Sequence, residues 1–428
     1  MKQLLTLLMI GWWLTATAQM TLNDCLVYAR DHARPNAVNA VRIRKAQADV
    51  HMAVSDFLPS LSLSSNGNLS FGRNIDPETN TYDNKKTLYT GFGVYMSLPV
   101  FDGLVNINNL KVAKVGRLRR MSEAQIERDR ISLDVVRAFY NVSYCKAMVG
   151  QMSMQLKRDS TDLAATEKGY LLGNKSGADR AEMRSLVAAD EYELANQRNL
   201  LAKAYIALRS TLGMDSLDLP LEILETDDYQ PTGKTATSPR ILDAELAVRE
   251  GEYALRAARG KLLPTVSVNA GVSTSYYKMM GNAAVAPGFS RQWHDNMGQY
   301  VGFSVSIPLF SGLYRVNAVK KARLDLAERR LELDRTRYEI ERETTEARLD
   351  LTGAEEEMRA ALKRLDAEQT AYNAVRRKFE LGDASAIDLY TSGARLATAR
   401  ANYEGARIRR ITGRIILDYY LGSSLINE

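Results

Sequence analysis

The chain has 428 residues, 45% hydrophobic and 25% charged, with 57 basic against 51 acidic side chains and a formal net charge of +6. The two signs are mixed along the chain, as on a solvated helical surface, and this excludes a nucleic-acid face, which needs a basic stripe interleaved with aromatics. Cys25, Cys145, His32, His51 and His294 have no metal-ligand or nucleophile spacing, so no metal, disulfide or cofactor is expected.

At the start, Lys2, the apolar run 4–14 and Ala16-Thr17-Ala18 follow the order of a secretory leader, with cleavage predicted after Ala18. The run is roughly half the ~20 residues a membrane-spanning helix needs. Leu22-Asn23-Asp24, which precede Cys25, are not the small residues of a lipidation site. No later segment offers 18 uncharged apolar residues and the mean hydropathy is −0.28, so a bundle of membrane helices is excluded and any bilayer crossing must use strands.

The remaining chain reads as a tandem duplication. Leu98-Pro99-Val100-Phe101-Asp102-Gly103-Leu104 matches Ile307-Pro308-Leu309-Phe310-Ser311-Gly312-Leu313 at a spacing of 209 residues. The same spacing relates Tyr170-Leu171-Leu172-Gly173-Asn174 to Phe379-Glu380-Leu381-Gly382-Asp383, and Leu212-Gly213 to Leu421-Gly422. Upstream, Phe57-Leu58-Pro59-Ser60 matches Leu262-Leu263-Pro264-Thr265 at 205. Such self-similarity organises the whole fold.

The first repeat is predicted over 19–212: a helix, a β-hairpin over about 58–101, a long helix over 103–168 and a returning helix over 178–212. In the hairpin, Leu61, Leu63, Leu69 and Phe71 alternate with Ser and Asn, and Phe92, Val94, Met96 and Leu98 alternate with Gly, Tyr and Ser. In a barrel this turns the apolar face to lipid and the Ser/Asn face to a wet lumen, with Tyr82, Tyr89, Tyr276, Tyr277, Trp293 and Tyr300 suited to an interfacial girdle. Residues 213–239 carry Pro220, Pro231 and Pro239 and read as a linker. The second repeat, 240–428, follows with a helix, a hairpin over about 263–310, a long helix over 312–378 and a return over 386–421. Each long run lacks proline and would extend about 100 Å at 1.5 Å per residue. Ala347, Leu351, Ala354, Met358, Ala361, Leu365, Tyr372, Val375 and Phe379 form an alternating four-three seam, repeated from Ala138 to Tyr170, with Asp159 where Glu368 falls. A seven-residue period predicts left-handed coiling. At the joints, Pro99 and Pro308 cannot donate to a ladder and are expected to end the strands, while Asp102 and Ser311 can cap the helices opened after Gly103 and Gly312.

Four strands cannot close a barrel alone, because bacterial membrane barrels begin at eight, and open edges are not tolerated in lipid. Closure must come from oligomerisation. The duplication, the paired joints and the turns at Gly173 and Gly382 resemble the TolC family of outer-membrane efflux proteins over essentially the whole chain after the leader. The resemblance implies an α+β homotrimer with a twelve-stranded β-barrel in outer-membrane lipid, four strands per chain, continuing into a twelve-helix α-barrel of coiled helices across the periplasm. It implies two further partners, a periplasmic adaptor and an inner-membrane pump, and a passive exit for efflux or secretion. It also implies a periplasmic gate at the helix tips. On the family pattern, Asp388 and Asp179 stand six positions after Gly382 and Gly173. Glu182 takes the ninth position in the first half, where the second half has Thr391. Lys175 takes the basic position, matched by Ala384, and Tyr170 takes the aromatic position, matched by Phe379, which lacks a hydroxyl. Two other classes compete: a structural periplasmic coiled-coil spacer without a pore, against which the two hairpins count, and an envelope enzyme, for which no His, Cys or nucleophile motif gathers the carboxylates.

Overall fold

The computed structural model describes residues 19–75, 80–84, 86–215, 222–224, 232–234, 238–280 and 287–425. The predicted leader over 1–18 and much of the linker lie outside the described residues. In chain order the elements are β1 (Gln19–Met20), α1 (Leu22–His32), α2 (Arg34–Ser55), β2 (Ser60–Ser70), β3 (Arg73–Ile75), β4 (Tyr82–Asn84), β5 (Lys86–Phe101), α3 (Val105–Leu171), α4 (Gly177–Leu212), β6 (Glu222–Ile223), β7 (Thr232–Lys234), α5 (Pro239–Gly260), β8 (Thr265–Met280), α6 (Phe289–Asp295), β9 (Gly298–Ser306), α7 (Tyr314–Leu381), α8 (Ala386–Tyr420) and β10 (Ser423–Ser424). They divide into two compact units.

One unit, Met1–Val41 with Ser122–Leu242 and Asp334–Glu428, is largely helical. Its main core buries Cys25, Leu26, Val135, Val136, Phe139, Val142, Leu208 and Leu212, with Ile415 against them. A second cluster gathers Met183, Leu186, Tyr372, Phe379, Leu389 and Leu396. The seam residues pack as their period requires: Val142, Cys145 and Met152 on α3 and Ala347, Leu351, Ala354, Tyr372 and Phe379 on α7 are all buried. Burial also pushes the thiol of Cys25 up to about 12, as suits a small core hydrophobe.

The other unit, Arg42–Met121 with Asp243–Leu333, holds one antiparallel sheet in the order β2-β5-β8-β9. β5 belongs to the first repeat and β8 to the second, so the centre of the sheet is a pairing between repeats. β5 runs on through Pro99 to Phe101, with a register break between them. This corrects the expectation that Pro99 ends the strand: β2 has already stopped at the Ser60↔Ser97 pair, so proline sits where one neighbour is gone. Pro308, by contrast, lies beyond the end of β9 at Ser306.

Candidate functional site

The strand register sorts the sheet into two faces. Directly opposed residues share a face, so Leu63↔Val94↔Val272 and Leu61↔Met96↔Ala270↔Val301 form one apolar surface, extended by Val268↔Phe303 and Val266↔Val305. Ser62↔Tyr95, Ser97↔Asn269 and Ser267↔Ser304 lie on the other. The Ser267 and Ser304 hydroxyls are 2.7 Å apart, and Asn269 Nδ2 donates to Ser304 Oγ at 3.1 Å. Leu63 is 78% exposed, Val301 82% and Phe303 78%. A contiguous exposed apolar sheet face of this kind marks a lipid or protein contact. Among the described residues, its outer strands β2 and β9 each have one unpaired edge.

The register also places the tyrosines. Tyr89, Tyr277, Tyr95 and Tyr300 share the polar face, whereas Tyr276, opposite Thr90, shares the apolar one with Phe92 and Thr274. Tyr89, Tyr277 and Tyr300 therefore do not belong to an apolar-face girdle. Tyr95 instead lies over Gly93, and both Tyr95 and Tyr300 over Gly271, where added Cβ atoms would come within 3.1 Å of the rings.

At the joints the backbone turns left-handed twice in succession: Gly103 at φ +71 with Leu104 at +65, and Gly312 at +59 with Leu313 at +65. The long helices therefore start at Val105 and Tyr314, two residues later than expected. Asp102 Oδ2 accepts from the Asn106 N–H at 2.5 Å, which is a cap. Ser311 engages instead through its backbone carbonyl, which accepts from the Tyr314 N–H. A Cβ on Gly103 would sit 2.1 Å from the Gly260 carbonyl oxygen, while one on Gly312 would meet nothing within 4 Å. Two further contacts obey the repeat. Asn106 Nδ2 donates to the Asp56 carbonyl, and the equivalent Arg315 guanidinium donates to the Lys261 carbonyl.

The helix tips are built alike. Gly173 and Gly382 are left-handed, and the N–H groups of Asn174 and Asp383 reach back to the carbonyls of Gly169 and Lys378, closing Schellman turns. Each following helix opens with a capping box: Asp179 Oδ2 accepts from the Ser176 N–H at 3.1 Å and hydroxyl at 2.8 Å, and Asp388 Oδ2 from those of Ser385 at 3.0 and 2.6 Å. The serine hydroxyls and N–H groups hold both carboxyls below the ordinary carboxylate value, so both are ionised at neutral pH. Asp388 and Glu182 are exposed, and Asp179 is half-buried. Phe379 is buried in the second core cluster, with the Lys175 ammonium 4.4 Å from its ring centroid, while the Arg180 guanidinium lies 4.9 Å from that of Tyr170. The structure thus pairs Lys175 and Phe379 and assigns each aspartate to its own helix start.

Sequence reasoning flagged Asp159 only as a polar interruption of the seam. In the structure it meets Asp190 of α4, and the two are 6% and 5% exposed. Burial first, then the facing Asp190, pushes the Asp159 carboxyl up to about 7. Gln155 donates to Asp190 Oδ1 at 3.0 Å, while Asp190 Oδ2 has no donor. Asp159 shares with Arg158, Tyr372 and Arg400 the lining of a cavity of about 20 Å³, which is room for about one water. At the equivalent place in the second repeat Glu368 meets Arg395 at 3.8 Å instead. No group of three or more His, Cys, Asp or Glu able to hold a metal occurs among the described residues.

The comparisons with known proteins agree with this architecture. The chain is 24% identical to the pyoverdine export outer membrane protein OpmQ of Pseudomonas putida, over 65% of this chain and 64% of OpmQ. It is 22% identical to the cation efflux system protein CusC of Escherichia coli O157:H7, over 61% of this chain and 57% of CusC. The chain thus aligns with less than two thirds of the length of these curated relatives. Among solved structures, CusC superposes with a TM-score of 0.80 at 17% identity over 96% of this chain and 94% of that one. VceC of Vibrio cholerae superposes with 0.79 at 16% identity over 94% and 96%. The model of the outer membrane efflux protein family matches this sequence twice, over residues 32–214 and 235–423, once per repeat, and the chain belongs to that family.

Proposed function

We propose that this protein is the outer-membrane channel of an export pump: a passive duct, assembled as a homotrimer, that receives substrate from an inner-membrane pump and a periplasmic adaptor. The observation that carries the reading is a surface that one chain leaves open in register with its own repeat. β5 pairs with β8 at the internal junction, so the same rule applied at the chain's ends pairs β9 with β2 of the next copy. The long helices agree with this. Val115 and Tyr140 of α3 are 6% and 3% exposed, whereas their equivalents on α7, Leu324 and Leu349, are 61% and 67% exposed. Around Val115 the second repeat covers α3, with Lys111 over the Tyr253 ring and Arg119 paired to Asp243 and Glu250, whereas the equivalent face stands bare on α7, ready for the first repeat of another copy. Such a contact is head-to-tail and closes only as a ring. Three copies give twelve strands, within the range of membrane barrels.

Purified particles in detergent are expected to contain three chains and to open steady conductances in a planar bilayer. A three-chain particle that never conducts would support the spacer reading, and a stable single chain in lipid would sink both.

Within this reading the tips form the periplasmic constriction, with Asp388, Asp179 and Glu182 as its acidic groups. Like charges gathered around a narrow symmetric opening attract cations, so the channel should be cation-selective and blocked by polyvalent cations from that side. Because both aspartates also cap helices, the informative change is to asparagine, which removes the charge and keeps a side-chain oxygen for the serine N–H. The Asp179→Asn/Asp388→Asn channel is expected to lose most of its cation preference and block while folding normally. Unaltered selectivity would take both residues out of the constriction.

A further inference from the structure

The segment between β8 and β9 contains a short helix that does two things to the sheet. β9 pairs with β8 only as far as Ser273↔Gly298, so among the described residues the edge of β8 beyond that point faces no strand. The α6 side covers it. Buried Gln292 accepts from the Tyr277 N–H at 2.8 Å and donates to the Tyr277 carbonyl at 2.9 Å, and Asn296 Nδ2 donates to the Ser275 carbonyl at 2.8 Å. The amides thereby substitute for a ladder partner, as an edge near lipid requires. At the same time the helix lies on the apolar face. Thr274 donates to the Trp293 carbonyl, the Trp293 ring is 5.2 Å from that of Phe92, and the Phe289 ring is 5.3 Å from that of Tyr276.

The height of this helix can be estimated. An apolar band about 25 Å tall, crossed by strands rising ~3.3 Å per residue at a tilt of about 40°, takes roughly ten residues. Counted from Val266, the first apolar-face residue of β8, the band ends near Tyr276, where α6 is seated. Phe289 remains 50% exposed there. Lys86 and Lys278 stand exposed on the same face just above, with Arg291 exposed on the helix and Asp295 the one acid of α6.

We propose that α6 is a membrane-interface anchor: Phe289 and Trp293 seat at the boundary between hydrocarbon and headgroups of the outer leaflet, and Arg291, Lys278 and Lys86 engage its anionic headgroups. This rests on reading the sheet as a membrane barrel. Aromatic rings with one wet and one apolar side settle at that boundary, and each basic residue near an anionic surface adds attraction. Continuity with the bare apolar band and the local excess of positive charge commit the surface to lipid rather than to a second protein.

Trp293 supplies the test, because the other tryptophans, Trp12 and Trp13, fall in the predicted leader. The oligomer is reconstituted in phosphatidylcholine vesicles with and without phosphatidylglycerol, using lipids brominated either near the headgroup or near the chain end, with Trp293→Phe as the blank. Headgroup-proximal bromine is expected to quench Trp293 at least about twofold more than terminal bromine. Brominated phosphatidylglycerol should also be preferred over brominated phosphatidylcholine, a preference reduced roughly two- to fivefold in Lys278→Gln/Arg291→Gln. Conductance of the same vesicles reports the barrel. Conducting vesicles in which neither bromine position quenches, or terminal bromine quenches more, overturn the anchor alone. An unchanged lipid preference in the double variant overturns its headgroup contacts. Absence of conductance and quenching together removes the barrel and the anchor with it.

Discussion

Gly103→Ala is expected to prevent the chain from reaching its folded state in useful amounts, whereas Gly312→Ala leaves the chain folded and damages assembly. Both residues are left-handed, and an alanine there carries roughly 1 kcal/mol of strain. Only Gly103 is also crowded: its Cβ would stand 2.1 Å from the Gly260 carbonyl oxygen, and a Cβ on Gly260 would meet the Gly103 carbonyl oxygen at 2.3 Å. Backbone on backbone cannot rotate aside, so the joint must shift bodily, at a further cost of about 1–3 kcal/mol or more. The sum is a large part of a typical domain's stability. Gly312 has open space within its own chain. If the ring closes by the repeat rule, the residue facing Gly312 is the equivalent of Gly260, which is Ser55 of the next copy, and the clash reappears between copies. The readouts are the yield of protease-resistant chain and the fraction of three-chain particles. Equal loss of both in the two variants would mean that the joints do not differ in the way the single chain shows.

The second large effect is on pH. An ordinary aspartate has a value near 3.8, and the Asp159 carboxyl in the folded chain is at about 7. Between those values the folded chain holds a proton that the unfolded chain has released, so this contribution to stability is full below about 4 and is lost as pH rises through about 7. The sign is opposite to that of a salt-bridged carboxylate. The cause is geometric: once both carboxylates of Asp159 and Asp190 are charged, two like charges face each other out of water, with Arg158 the nearest cation on the same helix and Arg400 and Arg376 on α8 and α7. Three pH units of difference correspond to the order of 4 kcal/mol. Asp159→Asn should be close to the parent at pH 4, draw ahead of it as the pH rises, and be clearly more heat-stable at pH 8, by a few kcal/mol. The measurement is thermal unfolding followed by circular dichroism across pH 4–9 for both proteins. Parallel pH profiles would show that another group is responsible.

Much of this architecture is legible before any coordinates. The 209-residue spacing, the period-two alternation after Pro59 and Pro264, and the four-three seam each follow from one local geometry repeated, which is what a linear pattern can record. The register then follows from parity: Leu63, Val94, Val272 and Val301 come out on one face because alternation leaves no other choice. Three things escaped. The helix α6 has seven residues, too few for a helical period to emerge between turn residues. Residue type alone groups the tyrosines as a girdle, although the same parity that sorts the valines puts Tyr89, Tyr277 and Tyr300 with the serines. And Asp159 has meaning only beside Asp190, a contact between α3 and α4 set by packing that no spacing within one helix encodes. At the tips the capping boxes were readable as Ser176 with Asp179 and Ser385 with Asp388. The burial of Phe379 beneath Lys175 was not, because it depends on where the two hairpins meet.

The two tip turns have a mechanical consequence. Each completes its own backbone and capping bonds, with the Gly169 carbonyl accepting from the Asn174 N–H in one and the Lys378 carbonyl from the Asp383 N–H in the other, followed in both by the serine–aspartate box. A turn closed in this way is a rigid knuckle: displacing it as a body strains none of its internal bonds. Any widening at the tips must then be taken up along the coils leading to them, where side chains such as Leu163, Val375 and Leu365 slip past one another at small cost per contact. Motion would be distributed over several heptads rather than concentrated at a hinge, so the stiffness opposing it is that of a long lever.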